Sequence, residues 1–464
     1  MKKIIYPLIL VISILTLASC NSELDSYNDN PNSPTALPTP ITLLTGAEIG
    51  TIMNATGNLP RTTSLFIQQT NGNSLQSLDF TNYALTETDN DTYDWIDIYQ
   101  AGVNLNQIIT QFGSTDPYYD GIARVLMALN IGYATDLWGN VPFSDAFQGA
   151  TGNITPKYDT QEKVYAEMQS YLDLALTDFA SPSTSSKVIP ATDDILYQGD
   201  ISKWTKLAYG LKARYAMRLS HRDGTATGTA AATNVLTYVS KALSSNSDNL
   251  VATFDGGNNQ NLWYAFNNLR AGYMSMGKFF VNLLSANSDP RLPFFAGKDA
   301  NGGYSGAAPE DNGDASTAKV SPFGSYFAGS ASTPVAIFSY SEVKFLEAEA
   351  NAILGNTPNA KIALQAAISA SLKDVTGADN ATFAATNSAD ISEKNIITQK
   401  YIALFPTLEP YNDWRRTGFP ILTPNQNSQS KKIPVRLITP RSERTLNANA
   451  VVVGSLYTPV WWNN

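Results

Sequence analysis

Apolar side chains recurring at three- and four-residue steps constrain this chain more than any other feature. Trp95, Ile98, Gly102, Leu105, Ile109 and Phe112 mark one face of a helix, because a 3.6-residue turn returns those positions to the same side. Ile122, Val125, Leu126, Leu129 and Tyr133 mark a second, which stops at the Trp138-Gly139-Asn140 turn. Val164, Met168, Tyr171, Leu172, Ala175 and Phe179 mark a third, with Asp159 or Thr160 as its N-cap. Trp204, Leu207, Leu211, Tyr215 and Leu219 mark a fourth. Val343, Leu346, Ala350 and Leu354 follow in a segment ending at Gly355, and its partner after Pro358 carries Leu364, Ile368 and Leu372. One more uses Ile397, Tyr401, Leu404 and Phe405. Helices paired by short turns predict a mainly all-α fold, a tetratricopeptide-like helix-pair scaffold over 90–245 and 337–420. Between them, 246–336 is rich in Gly, Asn, Ser and Asp and reads as a loop-rich insertion that carries ligand binding.

The start of the chain reads differently. Lys2 and Lys3 precede an apolar run from Tyr6 to Leu17, too short to span a bilayer as a helix. The run closes at LASC, whose cysteine, Cys20, is the only one among 464 residues. A small residue before a cysteine at that point resembles the lipobox of bacterial lipoproteins, in which the thiol is acylated. The expectation is a signal peptide over 1–19, an acylated Cys20 with a Pro-rich tether over 20–40, and a single domain over 41–464. The alternative is an ordinary secreted protein whose cysteine is incidental.

Composition removes several function classes. A formal net charge of −9 argues against nucleic acid or an anionic membrane surface as partner, since both are bound through clustered Lys and Arg. The longest basic clusters are the pairs Lys431-Lys432 and Arg415-Arg416. With Cys20 committed to the anchor, disulfides, a thiolate nucleophile and Cys-type zinc sites drop out. His221 is the only histidine, so a two-His metal site drops out, and its place near a helix end has a structural explanation. The residues call for no cofactor and no metal. Asp89, Asp91 and Asp94 have part of a calcium-loop spacing, but Gln100 stands where the bidentate glutamate belongs. Asp255 to Asn261 is a second weak pattern of that kind. A glycosidase carboxylate pair stays open, because its two acids need not be near in sequence.

Further motifs follow one another along the chain. NDNPNSP spans Asn28 to Pro34, ATDLWGNVPF spans Ala134 to Phe143, and WTKLAYGLKAR spans Trp204 to Arg214. DPRL begins at Asp289, YSEVKFLEAEA at Tyr340, QKYIALF at Gln399, WRRTGFP at Trp414 and TPVWW at Thr458. In that order they resemble the SusD/RagB family of outer-membrane lipoproteins of the Bacteroidetes, across nearly the whole mature chain. The resemblance implies a non-enzymatic surface receptor that captures a nutrient, an oligosaccharide first and an oligopeptide second. It also implies a partner, a SusC-like TonB-dependent barrel over which the lipoprotein sits as a lid. Glu23 and Asp25 loosely resemble the surface-export signal of such lipoproteins. A lipid-anchored hydrolase using two carboxylates is the rival from another class.

Most of these motifs read as structural. Asp136, Trp138 and Gly139 suit a helix end, and Trp414-Arg415-Arg416 suits an internal ion-pair network with Glu342, Glu347 and Glu349. The ligand face is expected where aromatics interrupt polar loops. The 7 Trp, 23 Tyr and 19 Phe offer rings on which the C–H face of a sugar stacks, while amides take its hydroxyls. Trp263, Tyr264, Asn261, Asn267 and Arg270 are the expected platform, with Gln68, Gln69 and Asn73 as the opposite wall. The competing reading makes Trp263 and Tyr264 core residues.

Overall fold

The computed structural model describes residues 38–463 apart from Asp223 and Ala226. The expected signal peptide, the expected anchor at Cys20 and most of the expected tether lie outside the described residues. Long helices make up the scaffold, and each packs on the next: Ile96–Phe112, Pro117–Trp138, Gln161–Phe179, Ile201–Arg218, Thr229–Val239, Tyr340–Ile353 and Thr357–Thr376. Most of their apolar faces meet in one large cluster that runs from Leu43 to Trp462, and Leu364, Ile368 and Leu372 of Thr357–Thr376 form a second, smaller one with Phe345 and Ile396. Side chains close the helix starts, and at the third helix the cap is Thr160, one of the two residues the sequence offers. Thr160 accepts from the Lys163 N–H, Asp200 from Lys203 and Ser339 from Glu342, replacing bonds that the first turn lacks. Gly139 ends its helix with φ +80°, which a residue with a Cβ rarely adopts.

Two helices at the start of the described residues are among those that escape the periodicity reading. Pro40–Thr56 and Asn58–Phe66 precede the expected scaffold, and the first packs against Ile96–Phe112. Its buried face mixes Leu43, Leu44 and Ala47 with Glu48, Thr51 and Asn54. These polar groups are paired inside: Asn54 donates to Asn130 at 2.8 Å, and Asn130 to the Thr51 hydroxyl at 2.7 Å. A buried polar stripe of this kind blurs the apolar period on which a sequence reading depends.

The 246–336 segment is more ordered than its composition suggests. It holds helices Leu262–Leu269, Lys278–Ala286, Leu292–Phe295 and Ser325–Ala328. Two short antiparallel strand pairs tie it down. Thr70–Gly72 pairs with Met274–Met276, Thr70 opposite Met276, and Leu250–Ala252 pairs with Val335–Phe338, Leu250 opposite Phe338.

The WRRT part of the WRRTGFP motif ends the Glu409–Thr417 helix, and its Arg415 and Arg416 are buried. Arg416 meets Glu349 at 2.6 Å and Asp413 at 3.0 Å. The expected network is larger than the motif and partly different. Glu342 instead takes Arg214 in a two-bond contact at 2.7 Å each, Arg218 meets Glu409 at 2.5 Å, and Lys400 meets Asp413 at 2.8 Å. Glu347 lies outside it, paired with Lys344 at 2.6 Å. Arg415 donates to the Asp136 carbonyl at 2.6 Å, and the Trp462 indole donates to the Asp136 carboxylate at 3.1 Å. The terminal TPVWW therefore anchors to the ATDLW helix, and both motifs serve packing. Among the described residues no helix is long and apolar enough to cross a membrane.

Candidate functional site

Five chain segments converge on an open groove of about 380 Å³, within the roughly 300–1,000 Å³ common for ligand sites. Met53 and Gly57 come from the end of the first helix, Asn58 and Arg61 from the second, Gln76 from Leu75–Thr81, Asp89 and Tyr93 from the turn before Ile96–Phe112, Asp97 from the start of that helix, and Phe266, Leu269 and Arg270 from Leu262–Leu269 and its C-cap. The turn Asp91–Trp95 is a single π-helical turn, closed by the Ile96 N–H donating to the Asp91 carbonyl. Such wide turns collect at functional sites because they push a side chain out of the helical register. Here the side chain is Tyr93, 76 % exposed, while its neighbours Asp94 and Trp95 are buried. Leu269, 82 % exposed, stands on the opposite lip.

Beneath the groove, Arg61 lies with its guanidinium 4.8 Å from the Phe266 ring centre and donates to the Leu262 carbonyl at 3.2 Å. Burial pulls this guanidinium down to about 10, against the pull of Asp94 and with the help of Arg270. Asp94 is fully buried, and burial pushes its carboxyl up to about 6, opposed by the amides of Asn90 and Asn58 that donate to it at 2.5 and 2.8 Å. Burial also raises Asp97 above the ordinary carboxylate value. Arg270 hovers 5.7 Å from Phe266 and 5.8 Å from Tyr273. The groove thus combines apolar ring and alkyl surface with amide, carboxylate and guanidinium groups. That combination suits a polyhydroxylated ligand with an apolar ring face.

The residues expected from sequence divide sharply. Trp263 is a core residue and no platform: it is fully buried and meets Phe323, Phe327 and Phe405 edge-on at 5.5, 5.1 and 6.2 Å. Asn261 is the N-cap of its helix. Its side-chain oxygen accepts from the Tyr264 N–H at 2.8 Å, and its amide donates to the carbonyls of Phe327 and Thr333. Tyr264 and Asn267 are half-buried on that helix and do not line the groove, whereas Arg270 does.

The expected opposite wall faces inward. The Gln69 amide donates to the Tyr401 carbonyl at 2.8 Å, Gln68 to the Thr423 carbonyl at 2.5 Å, and Asn73 accepts from Asn71 and Ser275. All three are buried, and their amides satisfy backbone and strand groups that would otherwise lie unpaired. From that stretch Gln76 reaches the groove. Sequence reasoning missed Tyr93 and Phe266 as groove-lining groups. The signal that could have found Tyr93 is its place among the acids of Asp89 to Asp94, where no apolar period claims it.

The calcium-like spacing is built for other partners. Asp89 accepts from Thr86, Asp91 from Ser442, and Asp94 from Asn58 and Asn90. Asp255 closes its own turn by accepting from the N–H groups of Gly257 and Asn259. Among the described residues no three or more acids, histidines or cysteines gather where they could hold a metal.

Comparison with known proteins places the fold. The profile of the SusD-like family, described as starch-binding associating with outer membrane, matches residues 31–440. The structure is similar to that of a SusD/RagB family protein from Bacteroides thetaiotaomicron, with TM-score 0.80 and 27 % identity over 92 % of this chain and 99 % of that one. It is also similar to a chitin-binding SusD homolog from Flavobacterium johnsoniae, with TM-score 0.78 and 20 % identity over 91 % and 98 %. A SusD homolog from Bacteroides fragilis gives 0.75 and 22 % over 91 % and 99 %. No curated protein sequence matches the chain.

Proposed function

The chain belongs to the SusD-like family, starch-binding proteins that associate with the outer membrane, and on that premise we propose that it is a cell-surface receptor for an oligosaccharide. The observation that carries the reading is the groove itself. Tyr93 stands free on a π-helical turn across from Leu269, with Phe266 and Arg270 beside it and Asn58, Gln76, Asp89 and Asp97 within reach. Exposed rings beside amides and acids match the two faces of a sugar, its C–H side and its hydroxyls. Binding without turnover agrees with the family. In this reading Cys20 carries the lipid that holds the receptor on the outer leaflet, and a SusC-like TonB-dependent barrel accepts the ligand from it.

Calorimetric titration with malto-oligosaccharides, chito-oligosaccharides and an oligopeptide pool tests the ligand class, with Tyr93→Ala as control. Saturable glycan binding that Tyr93→Ala weakens supports the proposal. Peptide binding in place of glycan moves it to oligopeptides, and release of shorter sugars during incubation sinks it in favour of a hydrolase.

A further inference from the structure

A second groove, about 360 Å³, lies on the other side of the same π-helical turn. Its walls are Trp95, Ile96, Tyr99 and Val103 from the helix start, Pro142 and Phe147 from the loop that follows Trp138, and Pro156. Ser442 and Glu443 of the short helix Arg441–Leu446 close one end. The rings form a connected group: Trp95 to Tyr99 at 4.9 Å, Tyr99 to Phe147 at 5.9 Å, and Trp95 stacked with Tyr158 at 6.3 Å.

The Phe147 wall is held at a cost. Its φ is +63°, a left-handed conformation that is strained for an aromatic residue and persists only where the surroundings impose it. Gly102 makes the position possible, since a Cβ there would collide with the Phe147 ring.

The polar groups at this groove are sorted by kind. The Tyr99 hydroxyl donates to the Pro142 carbonyl at 2.8 Å, the Ser442 hydroxyl to Asp91 at 2.5 Å, and the Tyr158 hydroxyl to Glu443 at 2.9 Å. These donors are engaged, and apart from the exposed Gln100 side chain the groove offers an acceptor. Glu443 receives Tyr158 and Asn447 on Oε2, while its Oε1 has no partner among the described residues. No described cation forms an ion pair with Glu443: Arg444 meets Glu87 at 3.5 Å and Lys163 meets Asp159 at 2.6 Å, while Arg441 and Lys157 are exposed.

We propose that this aromatic groove, closed by the Glu443 carboxylate that has no counter-ion among the described residues, binds an organic ammonium ion carried on an apolar or cyclic body. Ring faces attract a cation, and a carboxylate without a counter-ion completes its recognition. The proposal is independent of the glycan reading, because it concerns a different groove.

The test uses phenethylammonium and its neutral isostere 2-phenylethanol, titrated into the purified protein by calorimetry and by tryptophan fluorescence. The ammonium probe should bind at least tenfold more tightly than the alcohol, and Glu443→Gln should remove that preference. Val103→Trp should abolish binding of both probes by filling the groove from a half-exposed position, and it should leave the melting temperature and oligosaccharide binding unchanged. Equal affinity for the two probes, binding that survives Val103→Trp, or no binding of the ammonium probe would each overturn the proposal. If Glu443→Gln unfolds the protein, the probe pair and Val103→Trp still decide it.

Discussion

Arg61 spreads its guanidinium over the ring of Phe266 at 4.8 Å, so the floor of the groove and its wall are one contact. Such a pair is worth about 0.5–2 kcal/mol, and it holds Leu262–Leu269 against the helix that carries Arg61. Phe266→Ala should therefore weaken oligosaccharide binding about tenfold, with only a modest fall in melting temperature. Titration and a thermal melt on the same sample check both halves, and unchanged affinity would place the ligand elsewhere.

Tyr93 and Trp263 should respond in opposite ways. Tyr93 is 76 % exposed and Trp263 is fully enclosed by phenylalanines. Tyr93→Ala should cost at least tenfold in glycan affinity and leave stability within about 0.5 kcal/mol, as for a surface side chain. Trp263→Ala should destabilise by about 3–5 kcal/mol, the loss expected from emptying an aromatic core site. Urea denaturation of both variants separates the roles.

Asp94 predicts a pH dependence. Burial raises its carboxyl to about 6 in the folded protein, above its ordinary value. The favourable contribution of the protonated form is complete below the unfolded value near 4, and it is lost as pH rises through about 6. The ionised group then opposes folding by on the order of 3 kcal/mol. Asp94→Asn keeps an acceptor for Asn58 and Asn90 and removes the charge. It should melt higher than the parent protein at pH 8, with the gap closing toward pH 4. A gap that widens as pH falls would contradict the assignment.

Glu342 should be among the costliest acids to remove. Its two bonds to Arg214 are fully buried, and taking it away leaves Arg214 with only the longer contact to Glu409 at 3.6 Å. Glu342→Ala should lose about 3–5 kcal/mol in denaturant titration, whereas Glu347→Ala, partnered near the surface with Lys344, should lose under about 1 kcal/mol.

The proposed lipid anchor makes its own prediction. Cys20→Ser should move the protein from the membrane fraction to the soluble one in cells lacking the barrel partner. Retention at the membrane under those conditions would rule out the anchor.

Periodicity alone determined most of the scaffold. Faces such as Ile98, Leu105 and Ile122, Leu126 are buried as their spacing implies, because helical spacing is a local property that each segment carries by itself. Caps were equally legible at Thr160, since a hydroxyl three residues before its N–H partner needs no distant contact. The groove was not legible. Whether Trp263 faces solvent or core depends on Phe323, Phe327 and Phe405, which the chain supplies 60 to 142 residues later. Gln68 and Gln69 turn inward for the same reason, toward the carbonyls of Thr423 and Tyr401. Tyr93 is outside because the π-helical turn rotates it away while Trp95 packs against Trp138 at 5.3 Å. Residue type made each of these aromatics and amides equally eligible for a ligand. Only the long-range packing, which buries a ring wherever partners close around it, decided which were left at the surface.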